Sequence, residues 1–191
     1  MSHDDNNLED KPLFETAYLS VLSEIPDLTE NGIILLVDIK NYSQELLGEL
    51  NSVLENHGNR LVSREFPNEA SDKIKVIVSG EIPREEIIND PSSKYLFIDG
   101  RLTDFDLNAP SDLVPLISID VTDLTNSNIK NQEAVIEAIE QVHDKGKMIR
   151  LWKTNDKESV WLTLIELDVD ILGVDEIEDF CGIMKKNDLL H

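Results

Sequence analysis

Two charged residues stand one position apart at the end of an apolar run, Leu35-Leu36-Val37-Asp38-Ile39-Lys40. The run reads as a buried parallel strand, and alternation along a strand sends Asp38 and Lys40 out of the same face. In parallel-sheet enzymes the chemistry gathers beyond the C-terminal ends of the strands, so both groups are candidates for a substrate mouth. A carboxylate there suits a divalent cation, and the lysine beside it suits a phosphate. The plainer alternative is a strand that finishes in a solvated ion pair. Arg101, which follows Asp99-Gly100 at the end of another apolar run, could reach a phosphate or pair with a neighbouring carboxylate. Trp152 closes a further run and could line the mouth or simply pack.

The elements that must position these residues alternate. Strands are expected at 32–40, 74–80, 95–100, 114–121, 147–152 and 169–174, most of them rich in Ile, Val and Leu. Helices are expected at 43–57, 131–145, 157–167 and 175–186, with a short one at 84–89. Ser43 precedes Leu46, Leu47, Leu50 and Leu54 as an N-cap precedes an apolar face, and Gly58 stands where a C′ glycine would. Ala134, Ile136, Ala138, Ile139 and Val142 mark a second face, ended by Lys145-Gly146. Asp175 could N-cap the last helix, Trp161 is expected in the core, and segments 6–11 and 122–131 read as polar loops. Such βα alternation with buried strands implies a parallel α/β sheet in one domain spanning 1–191.

Composition narrows the partners. A formal net charge of -22 argues against non-specific binding to nucleic acid or anionic lipid, so any phosphate site must be local. No apolar run approaches the ~20 residues of a membrane span, and a soluble chain is expected. The single cysteine, Cys181, excludes an internal disulfide and reads as a small buried residue on the last helix. No signal peptide opens the chain as given.

Several segments, in this order, resemble the PI-PLC-like phosphodiesterase superfamily, the group of phosphatidylinositol-specific phospholipase C and glycerophosphodiester phosphodiesterase. They are Ser2-His3-Asp4, the stretch 13–19, Leu36-Val37-Asp38-Ile39-Lys40, Val76-Ile77-Val78-Ser79-Gly80, the stretches 97–102, 112–118 and 146–152, Val160-Trp161 and Val169-Asp170-Ile171-Leu172. Each is weak alone; their order and spacing over nearly the whole chain are more specific. The resemblance implies a TIM-type (β/α) barrel that cleaves phosphodiesters with two histidines and a divalent cation, Ca or Mg. It places His3 as one acid-base residue, Asp38 as a metal ligand and Lys40 on the phosphate charge; Arg101 and Trp152 stand beside these as the candidate substrate contacts read from their own strand-end positions. The substrate would be a small phosphodiester or lipid headgroup.

The family's opening strand, with its first histidine, and its second strand, with a Glu-Ala-Asp type pair, have no counterpart among the 191 residues. About six βα units are present, and the first two strands of the barrel are expected to be missing. Weak activity, weakened metal binding and self-association through exposed sheet edges are then expected, or else an inactive homologue acting as a binding module. A secreted or periplasmic full-length form would carry its signal peptide outside this chain.

Overall fold

The computed structural model describes residues 13–26, 32–125 and 132–189. His3 and segment 6–11 lie outside the described residues. The chain divides into two compact units, Met1–Phe97 and Ile98–His191.

In the first unit a helical segment comes first, a π-helical turn at Glu15–Leu19 running into α1 (Ser20–Glu24). Strand β1 (Ile33–Ile39), helix α2 (Gln44–Asn56), strand β2 (Ile74–Gly80) and helix α3 (Arg84–Asn89) follow. β1 and β2 are parallel, with Asp38 opposite Ser79 and Ile39 opposite Gly80. β2 is almost wholly buried, with Ile74, Val76 and Val78 on one face and Ile77 between Lys75 and Ser79 on the other, whereas β1 is mostly half-exposed. α2 begins as its sequence dictates, with the Ser43 hydroxyl accepting from the Leu46 N–H at 3.0 Å. It buries Leu50, Asn51 and Leu54, while Leu46 stays exposed.

Gly58 does not serve as a left-handed C′ residue. It opens a short 3-10 turn, Gly58–Arg60, and is not among the positive-φ glycines. Its lack of a side chain is used differently, because a Cβ there would fall on the Tyr95 hydroxyl.

In the second unit the order is β3 (Leu96–Gly100), which starts at the division and finds its partner here, then α4 (Asp104–Asn108), β4 (Leu116–Asp120), α5 (Val121–Thr125), α6 (Gln132–His143), β5 (Met148–Trp152), α7 (Glu158–Glu166), β6 (Ile171–Leu172) and α8 (Ile177–Lys186). β3 to β6 lie side by side in sequence order, all parallel. Parallel strands separated by helices in both units make the chain an α/β protein.

Four expectations are corrected in this unit. Helix α6 buries Val135, Ala138, Ile139 and Val142, which are spaced for one helical face; Ile136 falls off that face and is exposed. α5 forms where a polar loop was expected, because Asp120 accepts from the Thr122 N–H and organises a first turn. Glu176, not Asp175, occupies the N-cap of α8, and it makes no side-chain cap bond. Cys181 lies on α8 but is only half-buried. Trp161 is in the core as expected, 1% exposed and edge-on to Phe180 at 5.3 Å. Gly146 ends α6 with φ +64, a conformation that its missing Cβ permits.

Candidate functional site at the strand ends

In the first unit the Lys40 ammonium donates to Asp38 Oδ2 at 2.6 Å, and the two side chains are 57% and 31% exposed. Strand alternation puts Asp38 on the face that also carries Lys75 and Ser79 of β2. The Lys75 ammonium lies 5.2 Å from the Phe97 ring centroid, and burial pushes its pKa down. At the strand end Gly80 has φ +86, and a Cβ there would strike the Ile39 carbonyl and the Asp38 carboxylate. Glycine thus allows Asp38 to lie close over the end of β2.

The second unit carries a denser array. Register sets Ser118 beside Arg150 and Asp120 beside Trp152. Asp99, paired with Leu116, belongs to the same face, so this face is polar at its C-terminal end. On the opposite face Ile117, Ile119, Ile149 and Leu151 are buried. Asp99 and Ser118 are 0% and 2% exposed, which is unusual for polar residues unless they are partnered. Arg101 Nη1 donates to Asp99 Oδ2 at 2.9 Å and to the Gly100 carbonyl at 2.8 Å. Its backbone N–H donates to Asp106 Oδ2 at 2.7 Å. Arg150 Nη1 reaches Ser118 Oγ at 3.4 Å.

Asp120 is the best-held carboxylate of this group. Oδ1 accepts from the Thr122 N–H at 3.0 Å and hydroxyl at 2.7 Å, and Oδ2 accepts from the Lys153 ammonium at 2.5 Å. Burial alone would raise its pKa; the hydrogen bonds from Lys153 and Thr122, with the Lys153 charge, outweigh burial and hold it below the usual carboxylate value. Lys153 also lies over the Trp152 ring, 4.6 Å from its centroid. Its backbone is left-handed, φ 54, a conformation costly for a residue with a Cβ. Gly173 packs its backbone against Trp152, and its carbonyl accepts from the Thr154 hydroxyl at 3.1 Å.

Asp38 and Lys40 therefore stand at a strand end of the first unit, and Arg101 and Trp152 at strand ends of the second. The described histidines are elsewhere. His57, the residue capping α2, pairs with Glu15 Oε1 at 3.1 Å and lies 3.2 Å from Ser23 Oγ. His143, the last residue of α6, pairs with Asp170 Oδ2 at 2.9 Å. Each is thus paired with a carboxylate.

Among the described residues no three His, Cys, Asp or Glu side chains come together to hold a metal ion. With the Asp38 carboxylate engaged by Lys40, these residues do not fit a resident divalent cation. Among them, too, no helix is long and apolar enough to cross a membrane.

Ser118, Asp120, Arg150 and Lys153 are the residues that sequence reasoning passed over. The signal for three of them was present, since Ser118-x-Asp120 and Arg150-x-Trp152 repeat the spacing that singled out Asp38-x-Lys40.

No protein-family model matches the chain, and no curated protein matches it. A solved structure of the citrate synthase SbnG is similar at 12% identity and a TM-score of 0.35, with 83% of this chain and 82% of that chain covered. A likeness at that score bears on neither fold nor activity.

Proposed function

We propose that the protein is a phosphoric-diester hydrolase of the glycerophosphodiester or phosphoinositide-like class, on a TIM-type (β/α) barrel plan, and that its second unit recognises the phosphate and its alcohol. The observation that carries this reading is the polar strand-end face of Ser118, Asp120, Arg150 and Trp152, with Lys153 beside it. An arginine fork matches two oxygens of a phosphodiester, and a lysine adds a point charge. The Trp152 ring offers an apolar platform to the carbon skeleton of the alcohol, while the buried Ser118 and Asp120 position Arg150 and Lys153. The acid-base role of His3 and the charge-stabilising role of Lys40 rest on the family resemblance. So does the cation at Asp38, for which the described residues offer no sufficient donor set; no step is therefore routed through a metal.

A second reading, a binding module without catalysis, is favoured by one observation. Both described histidines are tied to carboxylates by helices rather than standing at strand ends. The two readings share the ligand and differ in turnover.

Calorimetry with glycerol 3-phosphate and inositol 1-phosphate tests the shared part, and Arg150→Met should weaken binding about tenfold or more. Hydrolysis of bis-p-nitrophenyl phosphate, with and without added Ca or Mg, tests the rest. Turnover that falls with His3→Ala supports the hydrolase; binding without turnover supports the module. A chain that neither binds these phosphates nor cleaves the diester overturns both.

A further inference from the structure

A pocket of about 320 Å³ in the first unit is lined by the segment after β1, by α2, by α3 and by the segment that follows α3. Tyr42, Gly48, Asn51, Glu86, Asp90 and Ser92 are among its lining residues. Its volume is of the order that holds a small ligand.

Three features point to an occupant. The first is the Asn51 amide. Asn51 is 8% exposed, and its Nδ2 donates to Ser92 Oγ at 3.4 Å and to Ser93 Oγ at 3.3 Å. Both serine hydroxyls spend their own protons on the Asp90 carboxylate, at 2.7 and 3.0 Å, so toward Asn51 they can only accept. That fixes the amide: the NH2 group meets the serines, and Oδ1 is left as an acceptor without a partner among the described residues.

The second feature is Gly48. A glycine in a helix interior is destabilising, and here nothing in the fold requires it, since a Cβ would meet nothing within 4 Å. The space it leaves is the pocket.

The third is charge. Glu86 makes no ion pair among the described residues, and Asp90 is kept ionised by the hydrogen bonds from Ser92 and Ser93. The Arg64 charge also acts on Asp90 and offsets part of this field; its Nε and Nη1 donate to the carbonyls of Leu96 at 2.6 Å and Ile87 at 3.0 Å, and its Nη2 is buried without a hydrogen-bond partner among the described residues. Burial raises the Tyr42 pKa, and the charges of Glu86 and Asp90 raise it further.

We infer that this pocket binds a guanidinium group, held by the Glu86 and Asp90 carboxylates and the Asn51 Oδ1 acceptor, with access over Gly48. Several acceptors beside an aromatic residue match the planar five-donor fork better than the compact point charge of an ammonium. The group could belong to a free small guanidinium compound or to an arginine side chain of another protein, and the same chemistry serves both.

The test is calorimetry on the whole chain with methylguanidinium, methylammonium and the peptide acetyl-Gly-Arg-Gly-amide as probes. Methylguanidinium should bind saturably, and Glu86→Gln should weaken it about tenfold. Gly48→Leu should abolish binding while leaving the unfolding midpoint unchanged or higher, because it fills only the pocket. Peptide binding as tight as that of the free cation assigns the site to an arginine side chain, and exclusion of the peptide assigns it to a free compound; either result sustains the site. Absence of saturable methylguanidinium binding, binding indifferent to both substitutions, or equal affinity for methylammonium would overturn it.

Discussion

Asp120→Asn is the substitution that most directly tests the electrostatics of the strand-end site. An asparagine keeps an acceptor for Thr122 but removes the charge that holds Lys153. A hydrogen bond to a charged group contributes about 1.5–3 kcal/mol. Lys153 is 58% exposed, so solvent screening lowers the share of that pair to about 1 kcal/mol or less. Adding the weakened Thr122 bonds gives an expected destabilisation of about 1–2 kcal/mol. The pH dependence has a definite sign. The folded carboxyl pKa lies below its ordinary value of 3.8, so its contribution is fully present above 3.8 and is lost as pH falls through the lower, folded value. Urea denaturation of wild type and variant should show a gap that is constant from neutral pH down to about pH 4 and closes below it. A double-mutant cycle with Lys153→Met isolates the pair, with a coupling of about 0.5–1 kcal/mol expected. A gap that persists unchanged below pH 4, or a variant more stable than wild type at neutral pH, refutes this account of Asp120.

Gly48→Ala should stabilise the protein by about 0.5–1 kcal/mol, because the new methyl gains helix propensity and touches nothing; a fall in the thermal midpoint would show that the space is not free. Gly58→Ala should act in the opposite direction, by about 1–3 kcal/mol, since the Tyr95 ring carbon lies 2.8 Å from the added Cβ; an unchanged midpoint in calorimetric melting would refute the contact. Among the described residues β1 pairs only with β2, and its Ile34 is 37% exposed, so strand-edge self-association is expected. Sedimentation should show that association falling with Ile34→Lys, and a monomer at every concentration would refute it.

The strands were largely legible because buried apolar runs are bounded by residues that break them. The run at 74–80 is the strand Ile74–Gly80 itself, and Gly80 could be read as its end because a turn with positive φ follows from its type. The last strand was overestimated. Segment 169–174 is apolar apart from Asp170, but ladder bonds need a partner, and only Ile171 and Leu172 find one, opposite Arg150 and Leu151. Contacts between distant residues were not legible at all. His143 meets Asp170 across 27 positions, and His57 meets Glu15 across 42, distances over which spacing carries no signal.

Lys153 shows why the strand-end site was only half visible. Its residue type gave no hint that its backbone would turn left-handed and carry its ammonium over both Trp152 and Asp120. The periodic part of the face, Ser118-x-Asp120 and Arg150-x-Trp152, obeys the alternation of strands and could have been read from the chain. What alternation cannot supply is the sign of the consequence. A polar residue every second position in a buried strand costs stability unless partners are present, and here the partners come from the residues just past the strand ends: Arg101 for Asp99, Thr122 and Lys153 for Asp120. Those residues are where a strand stops being periodic. The site is thus built at the point where pattern ends and individual backbone geometry begins, so the strands announced its location and left its chemistry to be found in the fold.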